Sequence, residues 1–412
     1  MRRYLAPLFL IGLGTSALAQ IGLPQTGPVV GGGVVETIGG TVDRTLARTR
    51  DLDLTAPVRS VAQLARDRVQ RIQRLVRANP ERIELDDQGE PARRGIVLLL
   101  DTDAASLDAA RKLGFTARTV DGLDELGIGA VELTAPSGMP LSRALQQLRG
   151  ALPGKTLSAD VLHFEGASAA RASSGGAKVI GRPIGTAVGI IDGGVGPAVS
   201  VIEQTGFATG APSPSDHGTA VAGLLRDAGV RSLYAADVYG RDPAGGGALA
   251  IARALNWLAG KKVRVVSMSL VGPRNPLLER ALATLSGRGT VILAAVGNDG
   301  PSAPPAYPAS YPAVLAITGV DGRNRALIEA GRALHLDYAA PGADIRALNA
   351  KGAARSVRGT SFAVPMAAAR AAAAIDAGRP VRATLDAEAR DLGRKGPDNQ
   401  FGRGLLCGNC GR

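Results

Sequence analysis

From residue 186 onward the chain alternates short aliphatic runs with stretches of helical character, and this alternation restricts the fold more than any other feature. Residues 187–191 read as a strand that ends at Asp192. Residues 217–225 read as a helix opening at His217, 232–238 as a strand, 247–258 as a helix and 263–270 as a buried strand. A helix over 276–285 and strands over 290–296, 313–320 and 335–339 follow, and Ser361 opens an Ala-rich helix reaching about residue 377. Strands separated by helices return in the same direction. The expected domain is therefore α/β, a parallel sheet with helices on both faces.

Such a sheet needs apolar filling. Of the 412 residues 45% are hydrophobic, but only 3% are aromatic. The core must be built from Ala, Val, Leu and Ile, and little is left to stack on nucleic-acid bases. The net charge of +12 is mostly arginine spread along the chain, which reads as a basic protein with no nucleic-acid partner. At the N-terminus Arg2 and Arg3 precede an apolar run over residues 4–13. Ala17-Leu18-Ala19 then places small residues where a signal peptidase reads, with Gln20 as the mature start. The run is too short for a permanent membrane span. Residues 1–19 are expected to be a signal peptide, and the protein to be exported, to the periplasm or outside the cell. Cys407 and Cys410 lack the further ligands of a zinc site, leaving a small local disulfide or free thiols.

Upstream of the α/β domain, residues 20–57 are rich in Gly, Pro, Thr and Val and read as a flexible leader. Residues 58–94 hold a basic amphipathic helix and a linker. Over 58–78, Val61, Leu64, Ala65, Val69, Ile72, Leu75 and Val76 share one arc, with Arg59, Arg66, Arg71, Arg74 and Arg77 largely outside it. Such a helix can lie on an anionic membrane or pack on a neighbouring domain with its arginines in water. The lack of a Trp or Phe anchor favours packing, with weak membrane-surface contact through 58–78 as the alternative. Residues 95–165 run strand, helix, strand, strand, helix, strand, the order of a small ferredoxin-like α+β unit. Residues 166–182 read as exposed linker, and 183–412 as the α/β domain.

Four short segments carry chemistry. Asp192 stands where an apolar strand runs out, before Gly193-Gly194, and open α/β sheets place their sites at such ends. Alone, it would be a turn aspartate. His217 opens a helix before Gly218-Thr219, where the positive helix end biases an imidazole toward its neutral, proton-accepting form. His163 and His335 read as ordinary packed or surface residues. Ser361 follows Gly359-Thr360 at a helix start, which exposes its hydroxyl and turns its N–H outward. A plain N-cap serine is the bland alternative, outweighed by the full run through Phe362, Ala363 and Pro365. Asn298, in Gly297-Asn298-Asp299-Gly300 after a strand, can donate its amide to a developing oxyanion, although alone it would be a Gly-Asn turn. Aspartate, histidine and serine together supply an orienting carboxylate, a base and a nucleophile. Their order along the chain distinguishes the unrelated folds that use this trio.

Together these segments resemble the subtilisin-like serine peptidases, the subtilases, over about residues 186–406. Ser267-Met268-Ser269-Leu270 resembles the strand that pairs with substrate backbone. Tyr307-Pro308-Ala309 and Tyr311-Pro312 resemble the stretch near the S1 pocket, Ala340-Pro341-Gly342 the loop before the serine, and 402–406 the C-terminal signature. The resemblance implies a serine endopeptidase acting on proteins or peptides through an acyl-enzyme. Ser361 would be the nucleophile, His217 the general base and acid, and Asp192 its orienting carboxylate. Asn298 and the Ser361 N–H would form the oxyanion hole. Ser269, Leu270, Val271 and Gly272 would bind substrate as an added strand, with Tyr307 and Pro308 near the pocket. The 95–165 unit resembles the family's prodomain, which implies a zymogen whose own prodomain inhibits it until cut away, with autocleavage between residues 164 and 181. The helix at 58–78 has no counterpart in the family.

Departures from the pattern are informative. Gly193 stands where the family more often has Thr or Ser. Val271 replaces a common Gly, and Val296 adds bulk before Gly297, so a shallow pocket for small or medium P1 side chains is expected. The connection between His217 and the strand at 232 is too short for the family's inserted calcium loop, so neither metal nor cofactor is expected. Two rival readings are a non-catalytic relative that binds peptides, which would usually lack a triad member, and a membrane-surface or scaffold protein working through the basic helix.

Overall fold

The computed structural model describes residues 61–166 and 181–407; the expected signal peptide and leader, most of the expected linker and the last residues lie outside these. The chain enters as helix α1 (Val61–Ala78), followed by β1 (Ile83–Leu85), β2 (Pro91–Leu100), α2 (Ala104–Lys112), β3 (Thr116–Thr119), β4 (Ala130–Thr134), α3 (Leu141–Ala151) and β5 (Thr156–Val161). Strands β5, β2, β4 and β3 lie side by side in that order, all antiparallel, with β1 paired to the start of β2. This is the ferredoxin-like order, but its sheet starts at Pro91 rather than 95. Leu141, Leu145 and Leu148 repeat at helical spacing and are fully buried with Leu98 and Leu133. Asp103 caps α2 by accepting the Ser106 N–H at 2.7 Å.

The second unit follows β6 (Phe164–Glu165). It runs β7 (Val188–Asp192), β8 (Glu203–Gly206), α4 (Asp216–Asp227), β9 (Leu233–Asp237), α5 (Ala248–Gly260), β10 (Val265–Met268), β11 (Leu270–Val271) and α6 (Pro276–Gly287). It continues with β12 (Val291–Ala295), β13 (Leu315–Val320), β14 (Tyr338–Pro341), β15 (Ala343–Leu348), β16 (Ala354–Arg358), α7 (Thr360–Asp376) and α8 (Val381–Glu388). Seven strands form one parallel sheet in the order β14-β13-β12-β10-β7-β9-β8. Successive residues of each strand face opposite layers. Ile191, Val266 and Ile292 pack toward α5 and α6, while Ile190, Val265 and Leu293 pack toward α4 and α7. Both faces are covered, which is why these strands read as unbroken aliphatic runs.

Strand order reverses at β7: β8 and β9 lie to one side, β10 and its successors to the other. A crevice opens beyond the strand ends at such a switch point, and Asp192 is the last residue of β7. Three details differ from the sequence expectation. The run 263–270 is not one strand: β10 stops at Met268, and β11 leaves the parallel sheet to pair with β6. The strand expected at 335–339 starts at Tyr338, because the His335 ring is bonded to the Val314 carbonyl and the Asp337 carboxylate to the Ala316 N–H. The β15–β16 hairpin was not anticipated, although Ala343–Leu348 alternates buried and exposed residues. Cys407 is disulfide-bonded. Among the described residues no helix is long and apolar enough to cross a membrane.

Candidate active site

Asp192, fully buried, receives two donors: the Gly193 N–H at 2.7 Å and, at 2.8 Å from Oδ1, His217 Nδ1. His217 is in the first turn of α4, whose N-cap Ser215 accepts the Gly218 N–H at 2.9 Å. The imidazole is pinned between this helix start and the Phe362 ring, 5.4 Å away between centroids. Its other nitrogen, Nε2, is buried and has no hydrogen-bond partner. Ser361 is the second residue of α7, also fully buried, and its Oγ lies 3.3 Å from the Ser269 carbonyl rather than on His217.

Pro365 accounts for part of this arrangement. A proline inside a helix has no N–H to give the carbonyl one turn back. The Ser361 carbonyl is thereby free, and it accepts the Ser269 hydroxyl at 2.8 Å. The start of α7 is thus clamped to the end of β10 through Ser269. Asn298, after β12, accepts the Thr360 N–H through Oδ1 at 2.9 Å. That bond turns its Nδ2 to the cleft, where the buried NH2 has no partner.

The cleft is filled by the chain itself. β6 pairs antiparallel with β11, Glu165 opposite Leu270 and Phe164 opposite Val271. His163 donates its N–H to the Gly246 carbonyl at 2.8 Å, so the segment is held from both sides. Gly166 follows, with its N–H 3.4 Å from the Ser269 carbonyl. A Cβ at Gly166 would stand only 2.1 Å from Ser361 Oγ and 3.0 Å from Asn298 Nδ2, so only glycine fits there without displacement. The His163 ring is fully buried, and burial lowers its pKa to about 4.

Glu165 changes the electrostatics. Its carboxyl, the His217 ring and the Asp192 carboxylate place ligand-type atoms within 4.8 Å of one another, the one such cluster among the described residues. Because Nδ1 is already bonded to Asp192, the cluster is an acid–imidazole pair with a second acid beside it. Burial and the Asp192 charge raise the Glu165 pKa to about 7, against the opposing pull of His217 and a hydrogen bond to Ser215. Burial alone would lower the His217 pKa, but charge and hydrogen bond from Asp192, with charge from Glu165, lift it to about 9. The bias toward neutral imidazole expected from the helix start is therefore overturned. A helix end is worth less than a carboxylate in contact.

Helix α1 lies along the same cleft. Arg71 bonds both oxygens of Asp299, at 2.9 and 3.0 Å, and Arg68 reaches Glu90 and Asp299. Leu64 packs against Gly300. Arg71, expected in water, is instead spent on the residue next to Asn298; Arg66, Arg74 and Arg77 are exposed. Val271 and Val296 both line the small cavity under Gly166, with Ile72 of α1 as a further wall. Tyr307 and Pro308 are placed less directly than expected. The Tyr307 backbone pairs with Gly272 at 2.8 and 3.0 Å, its ring packs on Tyr311, and Pro308 is buried. Pro304, Pro305 and Ala306 line that cavity.

The N-terminal unit also reaches the helices behind the cleft. Asp160 Oδ1 accepts the Leu249 N–H at 2.9 Å, capping α5, whose own N-cap Gly247 has no side chain to do so. Asn275 caps α6 with Oδ1 and donates Nδ2 to the Ala159 carbonyl at 3.0 Å. Sequence reasoning missed Glu165, Ser215 and Asp160. Ser215 carried the signal of an N-cap two residues before His217; the other two act only across the interface.

A parallel α/β sheet with aspartate, histidine and serine gathered at its switch point in this order defines a serine-type endopeptidase. The model of the Subtilase family matches residues 185–404, and the chain belongs to that family. It is 33% identical to Subtilisin BL of Lederbergia lenta over 205 residues, 46% of this chain and 75% of that one. To Subtilisin E of Bacillus subtilis it is 30% identical over 246 residues, 53% of this chain and 63% of the relative. Fervidolysin from Fervidobacterium pennivorans, a keratinolytic enzyme related to subtilisin, shares the fold at a TM-score of 0.65. That likeness covers 79% of this chain and 61% of fervidolysin at 18% identity.

Proposed function

We propose that this peptidase is made as an exported zymogen that cuts itself after Gly166 and then hydrolyses proteins or peptides through an acyl-enzyme. Ser361 attacks the scissile carbonyl, His217 takes its proton and returns it to the leaving amine, and Asp192 holds the imidazolium. Asn298 and the Ser361 N–H stabilise the oxyanion. The observation that carries the reading is the seat of Gly166, backbone-paired through β6 and pressed against both Ser361 and Asn298. A residue so placed is P1, and its carbonyl carbon is the one within reach of Ser361. Attack requires Ser361 Oγ to turn from the Ser269 carbonyl toward the unpartnered His217 Nε2. Once cut, the N-terminal unit stays as an inhibitor. It blocks the cleft, with β6 lying along β11 and Gly166 against Ser361 and Asn298. Export follows from the leader at residues 1–19, with periplasm or medium as destination. No membrane role is assigned to α1, because its apolar stripe is spent on the peptidase unit.

Expression of the full chain tests this reading. The mature enzyme, separated from the N-terminal unit, should begin at Ala167 and label at Ser361 with a fluorophosphonate, and Ser361→Ala should remain uncut. A processed Ser361→Ala chain, or an unlabelled mature wild type, refutes it. Val271 and Val296 beside Gly166 also support a small P1 residue. Matched peptides with Ala, Leu and Phe at P1 should be cut in that order, and a Phe preference would count against it.

A further inference from the structure

We infer that the S2 subsite is built to receive a carboxylic acid or carboxamide, so that Glu or Gln at P2 is preferred, with Gly193 and Ser215 as the residues that set the preference. The inference rests on reading Gly166 as P1, which makes Glu165 the P2 residue. Three observations carry it.

The first is space. A Cβ on Gly193 would stand 2.6 Å from Glu165 Oε1 and 2.4 Å from Ser215 Oγ. Any side chain at 193 would occupy the volume the carboxyl now fills, so the departure at this position is a cavity shaped for the end of a glutamate or glutamine side chain. The second is a donor. The Ser215 hydroxyl faces the Glu165 carboxyl across the place a Gly193 side chain would take, and the Tyr239 hydroxyl lies buried in the wall of the same cavity. The third is that the pocket's other carboxylates already have donors. Asp237 accepts the Ser213, Tyr239 and Gly240 N–H groups, and Asp192 accepts Gly193 and His217. A lysine there would compete with those donors, and an aliphatic side chain would offer the Ser215 hydroxyl no acceptor. Asp192 and Asp237 oppose a second full charge, His217 supports one, and Arg71 stands at the mouth. The group is thus taken neutral, as acid or amide.

The mature enzyme, obtained by self-processing of the full chain, would be given five peptides of the form His-Phe-X-Gly followed by a common leaving segment, with X as Glu, Gln, Ala, Leu or Lys. At pH 6, kcat/KM for Glu and Gln should exceed that for the other three by about tenfold or more. In Gly193→Ser the ratio of Gln to Ala should collapse toward one. Ala, Leu or Lys matching Glu and Gln in the wild type overturns the inference while leaving the peptidase reading intact. So does a Gly193→Ser enzyme that keeps the ratio. Should that variant not fold, the wild-type panel decides. Failure to cut any peptide, together with no labelling of Ser361, overturns both.

Discussion

The N-terminal unit grips the cleft of the peptidase in two places by different physics. β6 is held by backbone pairing to β11 and by buried side chains on either side of it. Helix α1 is held by arginines on Asp299, where the Arg71 side chain is 37% exposed and that of Asp299 19%. Backbone pairing in a crevice is indifferent to side-chain identity and weakly sensitive to salt. A partly exposed ion pair is worth little and is screened. The strand therefore sets whether the cleft is closed, and the helix trims how firmly. Asp299, next in sequence to Asn298, joins the trimming element to the catalytic one.

The largest effect separates chemistry from grip. Asn298→Ala should lower kcat by about 10²–10³, the range established for the oxyanion asparagine of subtilisin itself, with KM nearly unchanged. In a Ser361→Ala background the same change should leave hydrogen exchange of the β6 and β11 amides as slow as before; faster exchange would mean Asn298 also holds the strand. A middle effect isolates Glu165. Its pKa is raised from 4.5 to about 7 when docked, so docking is strongest with the acid protonated. That contribution is complete below the free value and is lost as pH rises through about 7. Glu165→Gln should remove this dependence, shifting the ratio of activation rates at pH 7.5 and 5.5 by about tenfold relative to wild type. Equal ratios in both proteins would clear Asp192 and Asp237 of any role in release. The smallest effect belongs to α1. Arg68→Ala with Arg71→Ala should speed activation by about two- to fivefold at low salt and by less at high salt. An effect larger than that of Glu165→Gln would reverse the ranking of the two grips.

What could be read from the sequence follows the range of the forces involved. Asp192, His217, Ser361 and Asn298 announce themselves because each sits at the end of its own element, beside glycines or small residues that the local backbone demands. The parallel sheet was legible for the same reason: burial on both faces leaves an unbroken aliphatic run in each strand. Arg71 was misplaced in solvent because its partner is 228 residues away, and a helical arc reports which residues avoid water rather than what they meet. The pKa of His217 was misjudged because the carboxylates that raise it, Asp192 first and Glu165 after it, surround it only in the folded chain. Gly193 was noticed as a departure, but its meaning needed the carboxyl that fills its place.

The seat of Gly166 carries a consequence for dose. While the chain is whole, β6 is tethered beside its site, and a short link presents it at a local concentration on the order of millimolar. If the chain cuts itself at that residue, as proposed, the cut leaves every contact in place yet turns the strand into a separate ligand, present in the surroundings at one copy per enzyme. From then on the fraction of open clefts depends on volume. Molecules crowded together stay closed, and the same molecules spread through a large space open with no further chemistry.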